Sequence, residues 1–323
     1  MSQPDRVFTP RDDSFHFDLM GDDWWATETA WFSFHHPERK LGGWLYTMAR
    51  PNIGIVSGGA WIWDDKASLP WEVPFSSNYT ALPIPRDQDL TDIRLPTGTS
   101  IRVLEPCMSY ALGYDDNGRG LFSADLRFDG VMAPEPLTAT GSTFGSAHHF
   151  DQFGRVHGHI VLHGERIGID CFGMRDRTWG RRPEDRPRRA GYITGMTDPD
   201  TGFLAVTNVQ PEGETVAYGF LRRDGRTVSL RGGTRTGERD PQTGTSTSIT
   251  LKLEDQEGRA LTAQGTAESR IIINRHTFID INSLVRWDCG GDGIAWGEEQ
   301  DMWPMHHFER MARARRGRAA PAS

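Results

Sequence analysis

The chain has 323 residues, of which 37% are apolar and 25% charged, enough apolar material for a packed core and too little charge bias for wholesale disorder. A formal net charge of −8 argues against nucleic acid as a main partner. Only three cysteines occur, Cys107, Cys171 and Cys289, far apart and without a CxxC pair, which excludes a disulfide scaffold.

The opening segment, MSQPDRVFTPRDDSFHF, has no basic region followed by an apolar run, so no secretory leader is expected. No stretch reaches the roughly 20 apolar residues of a membrane helix, and unpaired cysteines suit a reducing compartment. A cytoplasmic protein without an integral span is the expectation.

Tryptophans crowd the early part of the chain: Trp24, Trp25, Trp31, Trp44, Trp61, Trp63 and Trp71. Indoles combine large apolar area with one N–H donor, which suits either a pocket wall for a partly oxygenated apolar ligand or the wide interior of a β-barrel. Glu28 lies among them, and a carboxyl group walled by indoles is expected to hold its proton near neutral pH and serve as a general acid. The Pro-rich stretches 69–85 and 133–136 read as long loops.

Beyond them the pattern is of short alternating runs. In 121–128, Phe122, Ala124, Leu126 and Phe128 point one way and Ser123, Asp125 and Arg127 the other. Val216, Tyr218 and Phe220 alternate similarly, as do Ile281, Val285 and Trp287 against Asp280, Asn282 and Arg286. Turn signals such as Asp115-Asp116-Asn117-Gly118, Asp224-Gly225 and Gly290-Gly291-Asp292-Gly293 separate the runs. No long segment keeps a 3.6-residue period, so the expected fold is all-β, with antiparallel barrels or sandwiches.

A loose echo suggests two such domains. A tryptophan is followed by Gly43-Trp44-Leu45-Tyr46-Thr47-Met48 in one half and by Gly191-Tyr192-Ile193-Thr194-Gly195-Met196 in the other. The expected organisation is an N-terminal β-domain over 1–145, a C-terminal β-domain over 146–308, and a flexible basic tail over 309–323. Segment 232–248, rich in Thr, Gly and Arg, reads as a surface loop.

Histidines 148, 149, 157, 159 and 163 cluster, and His157 with His159 would share a strand face as metal-binding pairs do. Glu165 lies too far on for a cupin-type site, so no metal is expected. Gly-rich pieces such as Arg231-Gly232-Gly233 form no GxGxxG or P-loop, and no nucleotide or other cofactor is expected.

The densest signal is GIDCFGMRDRTWGRR over 168–182. A buried Arg175–Asp176 pair beside Trp179 needs a structural or catalytic reason. The structural alternative is a salt bridge; the functional one has Asp176 moving a proton while Arg175 holds its geometry. The basic run 181–189 is read as a solvated loop, or as a seat for an anionic group of the substrate.

His148-His149-Phe150-Asp151-Gln152-Phe153-Gly154, with Gly164-Glu165 and Gly173-Met174-Arg175-Asp176-Arg177-Thr178-Trp179-Gly180-Arg181, resembles the signature of a two-domain lipocalin-like superfamily. That superfamily includes carotenoid 1,2-hydratases, kievitone hydratase-like proteins and fungal Diels–Alderases. Its usual core motif is close to Arg-Asp-His-Ser-Trp-Gly-x-Arg, and this chain has Arg177 and Thr178 in the His and Ser places. A proton shuttle by that His would have to be supplied otherwise here.

The resemblance implies a cofactor-independent lyase or isomerase of hydratase/dehydratase type acting on a lipophilic terpenoid, steroid or polyketide-like substrate. The expected catalytic residues are Asp176, Glu28 and Arg175. Trp25, Trp31, Trp179, His148 and Tyr192 are expected to bind substrate, with aromatic faces stabilising cationic character. The rival class is a non-catalytic carrier of a lipophilic small molecule. A second copy of the chain is left open as a partner.

Overall fold

The structure, a computed structural model, describes residues 8–136, 147–184, 188–210, 213–275 and 277–319. It is all-β apart from short 3-10 turns and one terminal helix. The chain divides into two compact units, one of Met1–Lys66 and Pro70–Pro183, the other of Ala67–Leu69 and Glu184–Ser323.

The first unit holds β1 (Ala26–His36), β2 (Leu41–Arg50), β3 (Ile55–Trp63), β4 (Phe75–Pro83), β5 (Asp92–Arg94), β6 (Thr99–Glu105), β7 (Ser109–Asp115), β8 (Phe122–Gly130), β9 (Glu135–Pro136), β10 (His148–Leu162) and β11 (Glu165–Arg181). They form one antiparallel sheet in the order β4-β3-β2-β1-β11-β10-β8-β7-β6-β5, with β9 added on β10. Alternation makes β8 a strand with one wet face: Phe122, Ala124, Leu126 and Phe128 are buried, whereas Ser123, Asp125 and Arg127 are exposed. Phe32, Phe34, Leu45, Ile62, Leu126 and Ile167 contribute to a single apolar core.

The strands β1, β2 and β11 differ from β8 because both of their faces are buried over long runs. Small residues let their backbones come close. A Cβ on Gly173 would stand 2.1 Å from the Ser33 carbonyl oxygen on β1, so only glycine fits there.

The second unit is a closed antiparallel barrel. Its strands are β12 (Ala190–Asp198), β13 (Thr201–Gln210), β14 (Gly213–Arg223), β15 (Arg226–Arg239), β16 (Ser246–Asp255), β17 (Ala260–Arg275), β18 (Phe278–Asp288) and β19 (Ile294–Pro304), followed by the helix α1 (Met305–Ala319). One end of the lumen is filled by Ile193, Phe203, Ala205, Leu251, Val285 and Trp287.

Several boundaries move. The expected break at 145/146 leaves β10 and β11 in the C-terminal domain, but β10 pairs with β8 and β11 with β1, so both belong to the first unit. Segment 69–85 contains β4, and 232–248 lies mostly within the hairpin of β15 and β16. The expected tail begins inside α1, whose Met, Glu, Ala and Arg residues favour helix without an apolar stripe. A Glu309–Arg313 pair at 3.7 Å supports it.

Candidate active site

The central hydrogen-bonded strands are β10, β11 and β1. Residues facing one another across an antiparallel ladder share a face, so register sorts the side chains. Glu28 faces Trp179, Ala30 faces Arg177 and Phe32 faces Arg175, all on the face that carries the apolar core. Trp31 and Asp151 both face Asp176, and His149 faces Thr178, on the opposite face.

The core face holds a buried ionic lattice tied to the N-terminal segment. Arg175 donates to Asp13 at 2.6 Å and to Gln152 at 2.9 Å, and its guanidinium lies 4.0 Å from the Tyr110 ring centroid. Asp13 also accepts from the Tyr110 hydroxyl at 2.6 Å and the Cys107 amide at 2.6 Å. Arg177 donates to Glu28 at 3.0 Å and to the Ser14 carbonyl at 2.9 Å. Glu28 further accepts the His16 amide, and the His16 ring stacks on Trp179 with centroids 4.4 Å apart. Each buried charge therefore has a counter-charge and hydrogen bonds, which such burial demands.

The opposite face gathers His149, Asp151 and Asp176, whose ligand-type atoms all lie within 4.8 Å of one another. His149 hydrogen-bonds Thr178 Oγ1 through Nδ1 at 2.8 Å and Asp151 through Nε2 at 3.1 Å. Burial opposes the imidazolium, but the Asp151 charge and hydrogen bond, with the Asp176 charge behind them, hold the His149 pKa above its ordinary value. Asp176 is half-buried, while His149, Asp151 and Thr178 are buried.

Three such groups are also a possible cation cage. The donor set does not suit one, because both His149 ring nitrogens are engaged, one by Thr178 and the other by Asp151. The arrangement suits proton movement instead.

Aromatic rings continue this face away from Asp176. Trp31 pairs with Tyr46 on β2, and Trp44 with Trp61 on β3. Trp31 meets Trp44 edge-on at 5.2 Å, and Trp44 meets Trp63 edge-on at 5.9 Å. All are buried. His35 lies on the same face, and burial drives its pKa down to about 4.

Of the residues expected from sequence, Asp176 and Trp31 are thus brought together. Glu28 and Arg175 are not: they lie on the other face, occupied by Arg177 and Asp13. Trp179 is on that face too, and His148 is exposed beside it, 5.5 Å between ring centroids. Trp25 precedes β1 and lies under the Arg50 guanidinium at 5.2 Å. Tyr192 is buried on β12 of the second unit. In the basic run, Arg181 pairs with Asp23 and Arg189 with Asp301; 185–187 lie outside the described residues. His157 bonds Asp129 at 2.9 Å and His163 the Pro74 carbonyl at 2.8 Å. The residues missed were His149, Asp151 and Thr178; strand alternation through 148–151 would have set His149 and Asp151 on one face.

An antiparallel sheet in the first unit and a closed eight-stranded barrel in the second make a fold that this chain shares with several solved structures. The chain belongs to the family described as a domain of unknown function, DUF7064, which matches residues 9–302. The structure is similar to kievitone hydratase from Nectria haematococca, with 12% identity, a TM-score of 0.57, and 94% of each chain covered. An AttH-type protein of Nitrosomonas europaea is similar at 14% identity and a TM-score of 0.56, covering 93% of this chain and 98% of that one. CghA is similar at 12% identity and a TM-score of 0.57, covering 86% and 88%. No curated protein matches the chain by sequence. Among the described residues no helix is long and apolar enough to cross a membrane.

Proposed function

We propose that the protein is a cofactor-independent lyase or isomerase of hydratase/dehydratase type, acting on a lipophilic terpenoid, steroid or polyketide-like substrate, with Asp176 as the proton donor. One observation carries the reading: Asp176 shares a sheet face with His149, Asp151 and Trp31, and its carboxylate lies within 4.8 Å of the nearest His149 and Asp151 ligand atoms. The kinship in fold with a protein named as a hydratase supports the same class.

In the hydration direction, Asp176 in its acid form gives its proton to one alkene carbon. The cation left on the other carbon is stabilised by the negative faces of Trp31 and Tyr46. Water forms the C–O bond, and the proton it sheds returns to the Asp176 carboxylate through His149. Dehydration is the same sequence reversed; loss of a different C–H proton from the cation gives isomerisation. His149 then fills, from the neighbouring strand, the shuttle place that Arg177 leaves open in the motif. Asp151 and Thr178 orient its ring and favour its protonated form. Glu28 and Arg175 act at a distance: Glu28 ties β1 to β11 through Arg177, and Arg175 ties β11 to β10 and the N-terminal segment through Gln152 and Asp13.

The test is turnover of a panel of prenylated and isoprenoid alkenes in water labelled with heavy oxygen, read by mass spectrometry. The expected result is label in the product, lost in Asp176→Asn while ligand binding persists. Unchanged turnover in that variant overturns the assignment. Tight binding without turnover by the wild type places the protein among carriers of lipophilic molecules.

A further inference from the structure

The barrel of the second unit is apolar at one end of its lumen and ionic at the other. Register carries the inward face from the apolar cluster to the polar groups: Ile193 faces Glu299, Ser283 faces Glu299, Arg270 faces Ser283, and Leu251 faces Arg235. Arg235 bonds Glu299, Ser246 Oγ at 2.8 Å and Glu214 at 3.5 Å, and Arg270 reaches the Ser246 carbonyl at 3.3 Å. Asp301 is held by Arg189 and, at 2.6 Å, by Arg239. A Cβ on Gly191 would stand 2.6 Å from Thr207 Oγ1 and 3.1 Å from Glu214 Oε1, so this wall needs glycine.

Four arginines, 189, 235, 239 and 270, oppose the carboxylates of 214, 299 and 301, and Arg270 also meets the charge of Asp240. One feature is unexplained by these pairs. Four buried polar atoms have no hydrogen-bond partner among the described residues: Arg235 Nε, Arg270 Nε, Ser283 Oγ and Glu299 Oε2. Ser283 and Glu299 are 0% and 1% exposed, and Arg235 is 6% exposed. Buried polar atoms are rarely left unmet in a folded protein.

We propose that this end of the barrel lumen is a binding site for a small oxyanion, seated on Arg235 Nε, Arg270 Nε and Ser283 Oγ, with a hydroxyl of the ligand turned to Glu299 Oε2. Two N–H donors and one hydroxyl suit the charged oxygens, and the carboxylate oxygen suits an attached O–H. Dihydrogen phosphate and a 2-hydroxy carboxylate both have this arrangement. The site is independent of Asp176 and of the reaction proposed there.

The experiment is isothermal titration calorimetry of the full chain at neutral pH with sodium phosphate and with sodium L-lactate, against sodium chloride of matched ionic strength. Saturable binding of either anion is expected, weakened by about tenfold or more in Ser283→Ala, which removes one hydroxyl, and in Arg270→Lys, which keeps the charge but removes the Nε donor. Tighter phosphate identifies an inorganic anion as the ligand, and tighter lactate a small organic acid. Thermal unfolding checks that both variants fold. No saturable heat from either anion in cooperatively folded wild type overturns the site, as does unchanged affinity in both folded variants.

Discussion

Asp176 and Glu28 project from hydrogen-bonded neighbouring strands yet lie on opposite faces of the sheet. Glu28 faces Trp179 across the ladder, and Trp179 is an odd number of residues from Asp176. Two carboxyl groups expected to work in one site are thereby given unlike partners, an arginine for Glu28 and a histidine for Asp176.

This separation predicts unlike phenotypes. Asp176→Asn is expected to lower kcat by roughly a thousandfold, as loss of a general acid does, with little change in thermal stability. Glu28→Gln removes one member of a buried pair and is expected to cost about 3–5 kcal/mol of stability. Enzyme assays alongside denaturant unfolding of both variants check the contrast. A Glu28→Gln protein that is stable but inactive contradicts it.

The raised pKa of His149 sets a pH dependence. Its folded-state value lies above the ordinary 6.5, so its stabilising contribution is complete below that value and is lost as pH rises through the folded value. Turnover is expected to fall along the same alkaline limb as the shuttle loses its proton. In His149→Gln the limb disappears and kcat drops by about a hundredfold. Thermal midpoints and rates across the pH range, for wild type and variant, provide the measurement.

His35 works in the other direction. Burial lowers its pKa from 6.5 to about 4, so the unfolded chain binds the proton first as pH falls. Stability is expected to decline by about 3 kcal/mol between those two values, at 1.36 kcal/mol for each unit of pKa. Urea unfolding of His35→Asn, compared with wild type across that interval, should lack this slope.

Gly173 tests the close packing of β11 on β1. A methyl group there meets a backbone oxygen rather than a movable side chain. Gly173→Ala is expected to lower the thermal midpoint by several degrees, corresponding to about 1–3 kcal/mol for forced overpacking. A midpoint equal to wild type refutes the contact.

The all-β character was readable from sequence because alternation in β8 survives intact into the structure. Elsewhere, alternation misled for identifiable reasons. Val216 and Tyr218 do not share a face, since the pairing of β13 with β14 shifts between Val206 and Thr207 and reverses the pattern. Asp280 and Asn282, expected on a wet face of β18, are both 0% exposed, because that strand is buried on both sides. The site was half legible. The Arg-Asp motif drew attention to Asp176, but to Trp179 as its indole; Trp31, which does face Asp176, stood out only as one of the early tryptophans, because cross-strand partners come from register, which a lone sequence does not carry. Arg175 found its carboxylate in Asp13, 162 residues away in the chain.

The pairing of β1 with β11 also constrains the order in which this protein is made. A ribosome delivers Glu28 early and its counter-ion Arg177 149 residues later. At roughly 5–20 residues per second, the nascent first unit waits many seconds with that edge of β1 open. Glu28 and Asp13 stay hydrated during that interval, since neither has its arginine. Charge on the waiting edge thus discourages pairing with other nascent chains, and closing the sheet converts the same groups into its internal fastening.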